Sequence, residues 1–117
     1  MKKSLILKPN DLVDWLNAVS GSVLALDTEL SDSVWPNISI AGMSLCDGEQ
    51  ACYIDLYENK EYEDMRRIIQ EWLGPFAGLL IMHNAPFDLA VLKTIFDLPK
   101  SIEERWEIFD TMTVAHP

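Results

Sequence analysis

The first clear period in the chain covers residues 10–19. There Leu12, Val13, Trp15, Leu16 and Val19 share one helical stripe, with Asn10 or Asp11 as cap and Gly21 as stop. Residues 23–27 form a continuous apolar run suited to a central strand. Residues 38–46 and 50–56 alternate as half-covered strands do, and Asp47-Gly48 between them predicts a turn. The charged stretch 57–64 leads into Met65, Ile68, Ile69, Trp72 and Leu73, an amphipathic helix ended by Gly74-Pro75. Residues 78–82 then predict a buried strand and residues 86–96 a second core helix. Ile108 and Phe109 offer a short strand, and Asp110 a cap for a final helix. Strands that first meander and then alternate with helices predict an α/β sheet of mixed strand direction, without repeats or low-complexity segments.

With 117 residues, 49% of them hydrophobic, the chain is expected to form one domain, residues 1–117. No apolar run approaches the roughly 20 residues of a membrane span. The opening Met1-Lys2-Lys3-Ser4 leads only into Leu5-Ile6-Leu7, too short for a signal peptide. The expectation is a cytoplasmic protein with no membrane partner. Cys46 and Cys52 lack metal-type spacing and read as reduced, packed thiols. Nine basic against 19 acidic residues give a net charge of −10. That balance argues against a tight stand-alone nucleic-acid binder, which draws on Lys and Arg, although an acidic catalytic centre can borrow basic surface from a neighbouring domain.

Asp27 and Glu29 close the first strand run. In a strand, side chains two residues apart leave the same face, so the two anions are expected to point together. Side by side they repel, and burial of either needs a cation or a donor. Taken alone, such a pair is more often found splayed into water past the end of its strand. A third acid changes that weighting. Asp88, Leu92 and Ile95 fall at i, i+4 and i+7 with Phe96 beside them, placing Asp88 on the buried stripe of its helix. A first-turn acid suits the helix dipole, but that does not explain its place on the packed face. A metal at the sheet rim accounts for both, and oxygen-only ligands favour magnesium or manganese. Two such ions would clamp the attacking and leaving oxygens of a phosphoryl transfer, making phosphodiester hydrolysis the natural chemistry.

Leu26-Asp27-Thr28-Glu29 resembles the first motif, and His83-Asn84-Ala85-Pro86-Phe87-Asp88-Leu89 the second, of the DEDD 3′-to-5′ exonucleases on an RNase H-like fold. The chain is most similar to the proofreading exonuclease domain of family A, bacterial polymerase I-type, DNA polymerases. Its Ile-Ser-Ile-Ala-Gly-Met-Ser, residues 38–44, resembles that family's second strand, and Phe109-Asp110-Thr111-Met112 its Phe-Asp-Thr-Met segment. The resemblance implies an RNase H-like mixed sheet with flanking helices. It implies that Asp27, Glu29 and Asp88 are catalytic and bind Mg²⁺ or Mn²⁺ in a two-metal site, with Glu29 also orienting the attacking water. Thr28, Asn84 and Phe87 would line the path of the nucleic-acid 3′ end. Val34 or Trp35 is the nearest match to an apolar wedge against the terminal base, with a core role as the alternative for Trp35. His83 reads as a hydrogen-bonded turn histidine and Asp110 as a helix cap.

The family has a third motif, a Tyr or His followed four or five residues later by Asp, and the sequence reaches Pro117 without it; His116 has no acid after it. The expectation is therefore an N-terminal, C-terminally truncated part of a bacterial or phage-encoded exonuclease domain. Its complete form would release nucleoside 5′-monophosphates from single-stranded or frayed DNA, beside a covalently linked polymerase domain. An exoribonuclease of RNase D type and a non-catalytic scaffold or partner-binding domain of a DNA polymerase are the alternatives; a single-metal phosphoacceptor pocket lacks the Lys and Thr it needs.

Overall fold

The computed structural model describes residues 1–32, 34, 35 and 37–112. Six strands form one sheet: β1 (Lys2–Ile6), β2 (Val23–Asp32), β3 (Ser39–Cys46), β4 (Gln50–Asp55), β5 (Leu79–Met82) and β6 (Glu107–Asp110), in the order β1-β4-β3-β2-β5-β6. β2, β3 and β4 are an antiparallel meander, while β1 joins β4, and β5 and β6 follow β2, in parallel. The helices are α1 (Pro9–Asn17), α2 (Tyr62–Leu73) and α3 (Ala85–Ile95), with a single 3₁₀ turn at Ile102–Glu104 before β6. None of the helices is long and apolar enough to cross a membrane.

Strand alternation decides which face is covered. Leu24 and Leu26 of β2, Met43 and Leu45 of β3, Cys52 and Ile54 of β4, Leu80 and Met82 of β5 are all buried. They pack in one core with Leu12, Trp15 and Leu16 of α1, Met65, Ile69 and Leu73 of α2, and Leu92 of α3. Each such side chain contributes roughly 1.5–3 kcal/mol through burial. The intervening residues, among them Ala25, Asp27, Glu29, Ser44, Tyr53, Ile81 and Phe109, are half-buried or exposed. Thus α1, α2 and α3 cover one face and leave the other open. Where α1 begins, Pro9 takes the first helical turn and Lys8 is the N-cap, without a side-chain cap bond. The expected Asn10 or Asp11 cap is displaced because proline needs no amide partner at that position. The helix stops at Ala18 rather than Gly21, and Gly21 instead supplies a positive φ of 76° in the turn into β2.

β1 has no counterpart in the sequence reading. It is a five-residue edge strand with only Ile6 buried, so its hydrophobic signal is one residue deep. At the other end of the meander, the Asp47-Gly48 turn appears as expected. Asp47 Oδ1 accepts the N–H groups of Glu49 and Gln50, both at 2.9 Å, and Oδ2 accepts that of Ser20 at 3.0 Å. Burial lifts the Asp47 carboxyl, but these three amides outweigh it and hold the group below its ordinary value. Asp47→Ala is expected to cost about 1 kcal/mol at neutral pH. Because the folded value lies below the unfolded one, that contribution is complete above about pH 4 and vanishes as the pH falls through the folded value. Urea unfolding of both proteins across that range checks it: the gap between them should close in acid.

The two cysteines are free, as read: Cys46 is half-buried and Cys52 buried. Burial pushes the Cys52 thiol up to about 12, leaving it a packed, unreactive group.

Candidate active site

β2 does not end at Asp27. It runs to Asp32, and both acids pair within the sheet, Asp27 opposite Ser44 and Glu29 opposite Gly42. Regular alternation holds through Glu29, so both carboxylates leave the open face and are exposed. Just beyond, pairing slips twice, between Glu29 and Leu30 and again between Leu30 and Asp32.

Thr28 lies between the acids and so faces the covered side, half-buried in line with Leu24 and Leu26. Its hydroxyl donates to Asp88 Oδ1 at 3.2 Å. Thr28, expected to line the path of a 3′ end, thus stands on the covered side of β2, a placement that the period of two signals. Asp88 is 3% exposed, the buried charged residue of the described chain. Burial raises its carboxyl above the ordinary value, and the charges of Asp27 and Asp110 raise it further. The Thr28 hydroxyl and the Asn84 backbone pull the other way.

Asp88 sits in the first turn of α3, whose start is fixed from outside the helix. Asn84 is the N-cap, but its side chain makes no capping bond. Instead Asp110 at the end of β6 accepts the Ala85 N–H through Oδ2 at 3.1 Å and the Met112 N–H through Oδ1 at 3.0 Å. Asp110 is thus a cap, as read, for α3 as well as for the segment after β6. His83 is a hydrogen-bonded turn residue, its Nδ1 lying 2.9 Å from Thr111 Oγ1. The Thr111 hydroxyl donates to the Met82 carbonyl at 3.3 Å, which leaves His83 Nδ1–H as the donor to Thr111. Asn84 and Phe87 are exposed beside Asp88, Phe87 by 36%. Val34 and Trp35 are exposed by 70% and 47%, so Trp35 is not a core residue. His116 lies outside the described residues.

Asp27, Glu29 and Asp88, expected to converge on a metal ion, stand on two sides of β2. Among the described residues, no three His, Cys, Asp or Glu side chains are gathered closely enough to hold a metal ion. The reason is the strand itself: Asp27 and Glu29 leave the open face, while Asp88 approaches β2 from the helix side beneath Thr28. Asp27 is near enough to Asp88 for its charge to raise the proton affinity of the buried acid. Two carboxylates in that relation fit a hard divalent cation, which would offset the repulsion and the burial together. Glu29 stands farther along the open face, where its charge, after burial, helps hold the Tyr53 phenol above its ordinary value. An open groove of ≈ 530 Å³ on this face is bounded by Lys3, Asp27, Ser44, Tyr53 and His83.

A family model described as 3′-5′ exonuclease matches residues 4–116. No curated protein sequence matches the chain. Among solved structures, the fold is similar to the EXO domain of Aedes aegypti Nibbler, with a TM-score of 0.72 and 11% identity over 97% of this chain and 54% of that one. It is also similar to Escherichia coli RNase D, with TM-score 0.68 and 24% identity over 98% of this chain and 28% of that one. Trypanosoma brucei RNase D in complex with the RNA U12 gives TM-score 0.71 and 12% identity over 94% and 38%. The chain therefore spans between 28% and 54% of the length of these structures, and at such identities the likeness is one of fold.

Proposed function

The chain belongs to the 3′-5′ exonuclease family, and on that premise we propose that it hydrolyses the terminal phosphodiester at the 3′ end of a nucleic-acid strand. In this reaction a water oxygen bonds to phosphorus, the P–O3′ bond breaks, and a nucleoside 5′-monophosphate leaves while the shortened strand keeps a 3′-hydroxyl. The observation that carries the reading is the family match across residues 4–116. The fold is the RNase H-like mixed sheet of that superfamily, and the superfamily works with divalent metals. A magnesium or manganese ion held by Asp27 and Asp88 would supply charge neutralisation at the phosphate and acidify a bound water. Glu29, exposed on the open face, would help orient the attacking water and take up its proton. Phe87, exposed in the first turn of α3, offers a ring for a base to stack on, and Asn84 beside it offers an amide for hydrogen bonds. Acidic as the chain is, a basic neighbouring surface would supply the phosphate contacts it lacks, and a polymerase domain on the same polypeptide is the partner we propose for it.

DNA is the substrate we propose, on the resemblance of residues 37–45 and 109–112 to the polymerase-linked exonucleases. The fold likeness to RNase D structures supports RNA as the second reading. Matched single strands of DNA and RNA, labelled at the 5′ end and incubated with manganese and the protein that carries this chain, separate the two. A ladder shortening from the 3′ end of DNA, at least about tenfold faster than from RNA, is expected. The reverse preference establishes the RNA reading. No shortening of either strand refutes the enzymatic reading and leaves a non-catalytic domain.

A further inference from the structure

Asp27 and Glu29 share the open face with a tyrosine. In the pairing of β2, β3 and β4, Glu29 lies opposite Gly42 and Gly42 opposite Asp55, so one row across the sheet runs acid, glycine, acid. Tyr53 belongs to the neighbouring row, opposite Ser44, which in turn is opposite Asp27. Its side chain leans across: a methyl group at Gly42 would overlap both the Tyr53 hydroxyl and the tip of its ring. The phenol therefore occupies the space that glycine leaves between two carboxylates.

A phenol has one proton to donate and two acids beside it. Asp55 already spends Oδ1 on the Tyr57 N–H, at 3.1 Å, in the turn that follows β4. The Glu29 carboxylate, by contrast, is exposed on the open face. An exposed glutamate samples several rotamers, which is poor preparation for directing a water at phosphorus. We infer that Tyr53 is a positioning residue for Glu29: a rotation of the exposed Glu29 side chain brings its carboxylate onto the hydroxyl seated over Gly42, which then donates to it and fixes the direction in which that acid faces the reacting phosphate. Gly42 is the second half of the device, because any side chain there displaces the phenol. The inference rests on the exonuclease reading for its catalytic meaning, while the seating of the phenol over Gly42 does not.

Two measurements test it in the protein that carries this chain. With tyrosine isotopically labelled at Cζ, the Tyr53 resonance is identified by its loss in Tyr53→Phe. It should move in metal-free Glu29→Gln and stay in place in Glu49→Gln. Tyr53→Phe should also lower kcat about tenfold with KM held within about twofold. A Tyr53 resonance indifferent to Glu29→Gln overturns the inference, as does a Tyr53→Phe variant with unchanged kcat or with a loss confined to KM. If the resonance moves but Glu29→Gln cleaves as well as the original protein, the contact is real, while the role of Glu29 in the reaction, and of Tyr53 through it, is refuted.

Discussion

Asp88→Asn is expected to lower strand cleavage by about a hundredfold to a thousandfold while making the metal-free protein more stable. The first effect follows from removing a charged oxygen donor from the proposed metal pair with Asp27. The second follows from the same geometry with the opposite sign. Asp88 is buried, and burial together with the charges of Asp27 and Asp110 lifts its carboxyl above the ordinary range. At neutral pH the fold therefore carries an anion that it does not fully compensate, and a neutral isostere should gain about 1 kcal/mol. The Thr28 hydroxyl can still donate to the amide oxygen.

The pH dependence checks the assignment. Since the folded value exceeds the unfolded one, Asp88 contributes no penalty below the unfolded value of about 3.9, and the penalty grows as pH rises to the folded value. Urea unfolding in the presence of a chelator should show the two proteins level in acid, with Asn ahead at neutral pH. Undiminished cleavage would remove Asp88 from the site. A less stable variant would show that the bond to Thr28 outweighs burial.

Gly78→Ala is expected to cost about 3 kcal/mol, a large share of the 5–15 kcal/mol that holds a typical domain together. Gly78 lies just before β5, where the chain threads between β2 and β6. A methyl group there would overlap the backbone carbonyl of Ser22 and crowd the Phe76 ring. The Ser22 oxygen accepts the Leu79 N–H, and the Gly78 carbonyl accepts the Glu107 N–H, each at 2.8 Å. Relief of the overlap must stretch one of these bonds, because the Ser22 backbone cannot rotate away as the Phe76 ring can. The effect should extend to function, since β5 delivers the chain to Asn84 and α3. A shifted urea midpoint with unchanged slope is the expected result; an unchanged midpoint would show that β2 and β5 separate there without cost.

Much of the fold was legible wherever hydrophobic period and burial coincide. Leu12, Trp15 and Leu16 mark α1, Met65, Ile69 and Leu73 mark α2, and all are buried as their spacing implied. The meander and its Asp47-Gly48 turn were legible because a turn residue with a special backbone sits between two alternating runs. β1 was not, because an edge strand paired on one side needs little apolar surface. The acids were legible as residues but not as a geometry. Their spacing along the chain correctly places Asp27 and Glu29 on one face, yet the side from which α3 meets β2 is a tertiary fact. Thr28 was the local clue, since whatever lies between two outward residues must face inward. The outside cap on α3 was equally hidden, for Asp110 and Ala85 are brought together only when β6 pairs with β5.

The double slip in β2–β3 pairing has a further consequence for how this site tolerates change. One irregularity skips a residue on β3 and the next skips one on β2, so that Leu30 pairs with Ile40 and Asp32 with Ser39. The two offsets cancel, and both lie downstream of Glu29. Residues gained or lost beyond Asp32 can be absorbed at a place where regular pairing has already been given up. The same change anywhere from Leu24 to Asp27 would turn the outward acids inward. An engineered change of length is thus expected to be borne best in the β2–β3 connection, where it leaves the acids upstream on their face.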